Sequence, residues 1–216
     1  AIAAHEQVPA SYVLCGNGAA DLIYAYCAAL RPRTAAEPAP TFAEYGLGLA
    51  QVGCRVAPYF LHQVENFDVD EGFLPFLEAK KPEVVFLCTP NNPTGRLLPL
   101  PLLERILQRC AAWGARVFLD ECFLDLTEDG VSAKSLLTAH PELLILKAFT
   151  KSYGMAGIRL GYCLCADSAL LRRMASASQP WNVSSLAQSA CGGAGGAGLP
   201  AKNTIPRPHG AALAHG

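Results

Sequence analysis

The sequence predicts an α/β fold with a mostly parallel sheet and helices on both faces. Three observations carry that reading. Short apolar runs alternate along the chain with segments of helical period, as a sheet covered on both faces requires. Runs such as Val-Val-Phe-Leu-Cys at 84–88 and Leu-Leu-Ile-Leu at 143–146 are continuously apolar, as strands buried on both faces are. The residues able to carry chemistry fall at the carboxyl ends of those runs or at helix starts, the edge at which open α/β sheets bind ligands.

The 216 residues suffice for one sizeable core or a large part of a bigger enzyme. Just over half are hydrophobic, and the net charge of −1 gives no footing for nucleic acid or an acidic membrane surface. No apolar run is long enough to cross a bilayer. The amino terminus lacks the basic-then-apolar pattern of a signal peptide; with no initiating Met, the chain is expected to begin inside a longer gene product. Nine cysteines, irregularly spaced and without a C-x-x-C pair, suit a reducing cytoplasm rather than a disulfide framework. The five histidines show no metal-ligand spacing.

Val13 to Cys15 reads as a short strand, Asn17-Gly18 as a turn, and Ala19 to Leu30 as a helix stopped by Pro32, with Leu22, Ile23, Tyr26 and Leu30 at helical spacing. A strand, a glycine turn and a helix start make a ready anion site. Thr34 to Thr41 carries Glu37 and two prolines, so it is expected to be an extended edge or a loop. Phe42 to Ala50 is helical; Tyr45 is either a ring able to lie over a flat ligand or a core aromatic. Gly53 to Leu61 is a strand and Asp70 to Lys80 a helix. Val84 to Cys88 is a buried strand that runs into Thr-Pro-Asn-Asn-Pro-Thr-Gly, a stiff polar turn whose asparagine amides can donate to a phenolate oxygen. Pro99 to Trp113 is a helix. Val117 to Leu119 is a buried strand ending in Asp120-Glu121, where a carboxylate can pair with a protonated pyridine nitrogen or act as a cap.

Leu143 to Phe149 is the next buried strand, and it leads to Lys151. This lysine lies among small and apolar residues, where a charged ammonium is disfavoured. A neutral amine can attack an aldehyde, and Arg159, eight residues on, has the planar fork that suits phosphate. Together they point to pyridoxal phosphate; the alternative is a loop lysine and an arginine at a strand start. Ile158 to Cys165 is a strand, Asp167 to about Ser178 a helix, and Gln179 to Ala190 a turn and the start of another helix.

The segments Gly-Asn-Gly-Ala-Ala-Asp, Pro-Thr-Phe-Ala-Glu-Tyr-Gly, Cys-Thr-Pro-Asn-Asn-Pro-Thr-Gly, Phe-Leu-Asp-Glu-Cys-Phe-Leu-Asp, Phe-Thr-Lys-Ser-Tyr-Gly-Met-Ala-Gly-Ile-Arg-Leu-Gly-Tyr and Pro-Trp-Asn-Val-Ser-Ser-Leu-Ala-Gln occur in an order that resembles the class I/II aminotransferases, of fold type I among pyridoxal phosphate enzymes. The resemblance runs from about Tyr12 to Ala190 and is greatest to the branch holding L-threonine-O-3-phosphate decarboxylase and histidinol-phosphate aminotransferase. It implies that Lys151 attaches the cofactor, Asp120 keeps the pyridine nitrogen protonated, Asn92 bonds the phenolate oxygen and Tyr45 stacks on the ring. It implies a phosphate held by Arg159, Thr150 and the Gly18-Ala19-Ala20 turn. It also implies a small amino-acid phosphate substrate, a homodimer and a cytoplasmic location. Phe123 stands where the aminotransferases of the branch usually place a tyrosine, which favours decarboxylation, with a place in cobalamin biosynthesis, over transamination.

The chain departs from the pattern. Ala148 replaces a Ser or Thr of the phosphate site, and the family's N-terminal arm and C-terminal small domain are missing. Residues 1–190 are thus expected to be a partial cofactor-binding large domain, and 191–216 an irregular Gly/Ala/Pro-rich tail. A shifted reading frame from Ala194 onward, with codons that encode an amphipathic helix one nucleotide later, would explain the tail; a genuine disordered tail is the rival. Three functions follow: an active lyase or transaminase, a cofactor-binding fragment without turnover, and a non-catalytic module on the same fold.

Overall fold

The continuous apolar runs pair as the middle of a seven-stranded sheet. The structure, a computed structural model, describes residues 1–193. Strands β1 (Val13–Gly16), β2 (Thr34–Ala39), β3 (Arg55–Phe60), β4 (Val84–Cys88), β5 (Arg116–Asp120), β6 (Leu143–Ala148) and β7 (Gly161–Cys165) lie in the order β1-β7-β6-β5-β4-β2-β3. β7 runs antiparallel to both its neighbours, and every other pair is parallel. The helices are α1 (Ile2–Glu6), α2 (Ala19–Leu30), α3 (Ala43–Gln51), α4 (Phe73–Lys80), α5 (Leu100–Ala111), α6 (Phe149–Ser152), α7 (Ser168–Ala177) and α8 (Ser185–Gly193).

Strand alternation builds two cores, one on each face. Phe86, Phe118, Leu144 and Leu146 meet α2, α3 and α7 through Tyr26, Tyr45, Leu49 and Met174. Val85, Leu87, Val117, Leu119 and Ile145 meet α4 and α5 through Phe73, Leu77, Ile106 and Leu107. The register pairs Cys88 with Asp120 and Asp120 with Leu146, so β4 and β5 end level and β6 runs two residues further, to Ala148. Their following loops therefore open at one edge.

Three expectations are corrected. Thr34 to Ala39 is neither edge nor loop: β2 lies between β4 and β3. Its prolines are accommodated because β2 pairs with β4 only at Ala35 and Ala36, so Pro38 interrupts no bond of that ladder. The strand expected from Ile158 begins at Gly161, because 156–158 form a 3₁₀ turn and Arg159 adopts φ 56°, outside the extended region. α8 continues to Gly193, three residues into the expected tail; the rest of the tail and its reading-frame hypothesis lie outside the described residues.

Glu37 of β2 points toward α3, where a Cβ built on Gly46 would lie 3.6 Å from its Oε1. Its Oε2 is buried without a hydrogen-bond partner, and burial pushes its carboxyl up to about 7. A carboxyl raised above its unfolded value of 4.5 binds its proton more tightly in the folded chain, so stability falls as pH rises from 4.5 to about 7. Glu37→Gln is expected to flatten that fall and to raise the melting temperature at pH 8 but not at pH 4. Thermal melts at the two pH values check this, and an equal change at both would contradict it.

Candidate functional site

A cleft of ≈ 270 Å³ opens at the shared carboxyl edge of β4, β5 and β6. Of the nine residues put forward from the sequence, only Gly18 is absent from its lining.

β5 delivers Asp120 to the cleft, in line with Phe118 on the same face. It is 5% exposed; Oδ2 accepts from the Tyr45 hydroxyl at 2.6 Å and Oδ1 from the Cys122 N–H at 2.8 Å. Burial pushes its carboxyl up, and the two donors only partly offset this. Among the described residues no lysine, arginine or histidine forms an ion pair with it. The result is a buried carboxylate, held by hydrogen bonds and facing a cavity, that a docking cation would favour.

The turn after β4 sorts its two asparagines. Asn91 is buried and fully occupied: its amide donates to Pro40 O and Thr94 Oγ1, both at 3.0 Å, and its oxygen accepts from Thr41 Oγ1 at 2.8 Å. That network fixes the loop and leaves Asn92 as the asparagine on the cleft wall.

β6 ends in α6, a single turn that carries Thr150 and Lys151. The buried, apolar setting expected for Lys151 is not observed; its side chain is exposed. Phe149 and Ser152 occupy the buried side of the turn, so the apolar neighbours bury themselves and leave the lysine on the cleft side. Lys151 Nζ stands 5.2 Å from the centre of the Phe123 ring.

Tyr45 departs from its expected role. It is 0% exposed, its ring stacks on Phe86 at 5.3 Å, and its hydroxyl is held by Asp120. It has no free face for a ligand. The half-buried aromatic on the same wall is Phe42, edge-on to Tyr45 at 5.5 Å. The signal was in the sequence: Tyr45 and Leu49 are one helical turn apart and share the core face of α3, whereas Phe42 is the residue before α3 begins.

At the far end, Gly18 takes φ 84° before α2, and a Cβ on it would lie 2.5 Å from Arg159 Nη2. Gly161, unremarked in the sequence, is as constrained: its Cβ would lie 2.6 Å from Ala19 N and from Gly18 C. The two glycines let the α2 turn, β7 and the Arg159 guanidinium close into one cradle, with α2 N–H groups and a planar cation at its rim.

This geometry can hold a flat, cationic ring with an anionic tail, and comparison with known proteins is consistent with it. The family profile for aminotransferases of class I and II matches residues 2–197. The chain belongs to that family. Its members use pyridoxal 5′-phosphate. Over 189 residues the chain is 40% identical to a threonine-phosphate decarboxylase of Salmonella typhimurium, covering 87% of this chain and 51% of that protein. It is 34% identical over 152 residues to a histidinol-phosphate aminotransferase of Ruminiclostridium cellulolyticum, covering 70% and 41%. The crystal structure of L-threonine-O-3-phosphate decarboxylase from Porphyromonas gingivalis superposes with a TM-score of 0.77 at 26% identity, covering 89% and 56%. The chain thus spans about half the length of the relatives it matches.

Gly161→Ala is expected to lower the unfolding free energy by about 1–3 kcal/mol, the usual cost of overpacking against fixed backbone. Urea unfolding measures this; wild-type stability would show that β7 and the α2 turn are not in contact.

Proposed function

We propose that this chain is the cofactor-holding part of a pyridoxal phosphate enzyme acting on a phosphorylated amino-acid-type substrate, most like threonine-phosphate decarboxylase. The observation that carries the reading is the convergence of Lys151, Asp120, Asn92 and Arg159, from four separate segments, on one cleft. The donor set fits the group: an amine for an aldehyde, a buried carboxylate that no described residue pairs with a cation for a ring nitrogen, an amide for a phenolate, and a guanidinium beside helix N–H groups for a phosphate.

When bound, pyridoxal phosphate supplies an electron sink for the bond broken at the substrate's α-carbon. Lys151 Nζ would hold the aldehyde carbon, and its amine could hold or move a proton at the substrate's α-carbon. Asp120 binds the protonated ring nitrogen, and Tyr45 and the Cys122 N–H orient its two oxygens. In this assignment Phe42, rather than Tyr45, lies against the ring. Asn92 donates to the phenolate oxygen. Arg159, Thr150 and the Gly18-Ala19-Ala20 turn bind the phosphate, with Ala148 contributing no hydroxyl.

Decarboxylation is supported by the 40% identity to a threonine-phosphate decarboxylase and by Phe123, which has no hydroxyl to offer the cofactor. The similarity to histidinol-phosphate aminotransferase supports transamination as the second reading. A homodimer, a cytoplasmic location and a place in cobalamin biosynthesis belong to the same proposal. The irregular spacing of the nine cysteines, without a C-x-x-C pair, supports a reducing compartment.

Titration of pyridoxal phosphate into the purified chain, followed by absorbance, is expected to give a saturable band in the wild type and none in Lys151→Ala. Arg159→Ala is expected to raise the half-saturating concentration by about tenfold or more, the loss of a charge-assisted contact. The same band in wild type and Lys151→Ala would contradict the assignment.

A further inference from the structure

Among the described residues, the buried charged side chains other than Asp120 form a single cluster: Lys147 at 4% exposure, Glu6 at 3% and Glu121 at 1%. Lys147 Nζ lies 3.4 Å from Asp125 Oδ1, 3.6 Å from Glu6 Oε1 and 3.9 Å from Glu121 Oε2. Glu6 also meets Lys134 at 3.2 Å and accepts from the Tyr162 hydroxyl. Glu121 accepts from Ser132 Oγ at 2.7 Å and from the Ala133 N–H at 2.8 Å. Burial works against the Lys147 charge, but Glu121, Glu6 and Asp125 together outweigh it and hold the ammonium protonated.

The cluster lies on the face of the sheet opposite the cleft. Leu146 and Ala148, which flank Lys147 on β6, belong to the cleft-side core, whereas Ile145 and Tyr162 belong to the other. Its contacts nevertheless reach the segments that carry the site. Glu121 and Asp125 bracket Phe123, whose ring faces Lys151. Lys147 precedes Lys151 by four residues, with only Ala148 between it and α6. From α1, Glu6 reaches Lys147, and His5 Nε2 lies 3.2 Å from the hydroxyl of Tyr153, two residues past Lys151. A buried ion cluster adds little net stability over an apolar replacement, so its contribution is sought in geometry.

We infer that Lys147 is a positioning residue: from the reverse face of the sheet it ties α1 and the Glu121–Asp125 loop to β6, and so fixes where Lys151 and Phe123 stand at the cleft. The inference rests on Lys151 being the lysine that takes the cofactor.

Hydrogen–deuterium exchange of the whole chain without cofactor tests it, because both segments carry hydrogen-bonded amides, such as Tyr153 N to Phe149 O and Leu124 N to Glu121 O. Lys147→Met, and Glu6→Gln as a milder change of the same cluster, are expected to speed exchange at 149–153 and 122–126 by about tenfold or more. The amides of α5 should stay unchanged, and Lys147→Arg should restore the wild-type pattern. With pyridoxal phosphate added, borohydride fixation at Lys151 should slow by about tenfold or more in the first two variants and not in Lys147→Arg. Wild-type exchange in both segments would overturn the inference, as would a rise spread evenly over the sheet, which marks a structural ion cluster only. Faster exchange in the two segments, together with a wild type that fixes no cofactor, would support the hold by Lys147 and overturn the proposed function.

Discussion

The site depends on the end of β5, where strand alternation sends two adjacent carboxylates to opposite faces of the sheet. Asp120 follows Phe118 toward the cleft and Glu121 turns toward the other core. Each is buried, so each needs partners. Asp120 has a tyrosine hydroxyl and a backbone N–H but, among the described residues, no cation. Glu121 has a serine, a backbone N–H and the Lys147 ammonium. One carboxylate is thus left to receive a positive charge from outside the chain, while the other helps fix the loop between them and Phe123. A slip of one residue in β5 would exchange the two faces and remove both functions.

The rest of the cleft is assembled from loops that the neighbouring carboxyl ends of β4, β5 and β6 bring together. Asn91 spends its hydrogen bonds on the turn after β4, which frees Asn92. Gly161 and Gly18 remove the side chains that would separate β7 from the start of α2, and Arg159 packs into the space. These features all lie within residues 1–193.

Much of this was legible in the sequence where one signal dominated. The continuous apolar runs at 84–88 and 143–146, each of strand length and bounded by turn residues or polar residues, read as strands buried on both faces, and the residues after them marked the cleft edge. The sequence misled where two signals competed. In Thr34 to Ala39 proline chemistry argued against a strand, yet the short β2–β4 ladder ends before Pro38, a register that no local pattern reveals. The small residues around Lys151 promised burial, but the turn buries Phe149 and Ser152 instead. Tyr45 and Phe42 are three residues apart in one motif, and only the packing of α3 shows which of them is core. Nothing local marks Lys147, because its partners come from residues 6, 121 and 125, which the fold alone brings together.

The central claim is that the cofactor attaches to the exposed Lys151 on the cleft face and not to the buried Lys147 four residues earlier. Borohydride reduction of the chain in pyridoxal phosphate, followed by proteolysis and mass mapping of the labelled lysines, tests it directly. A single stoichiometric label on Lys151 is the predicted result. A label on Lys147, or one spread over the surface lysines with no preference for Lys151, would contradict it.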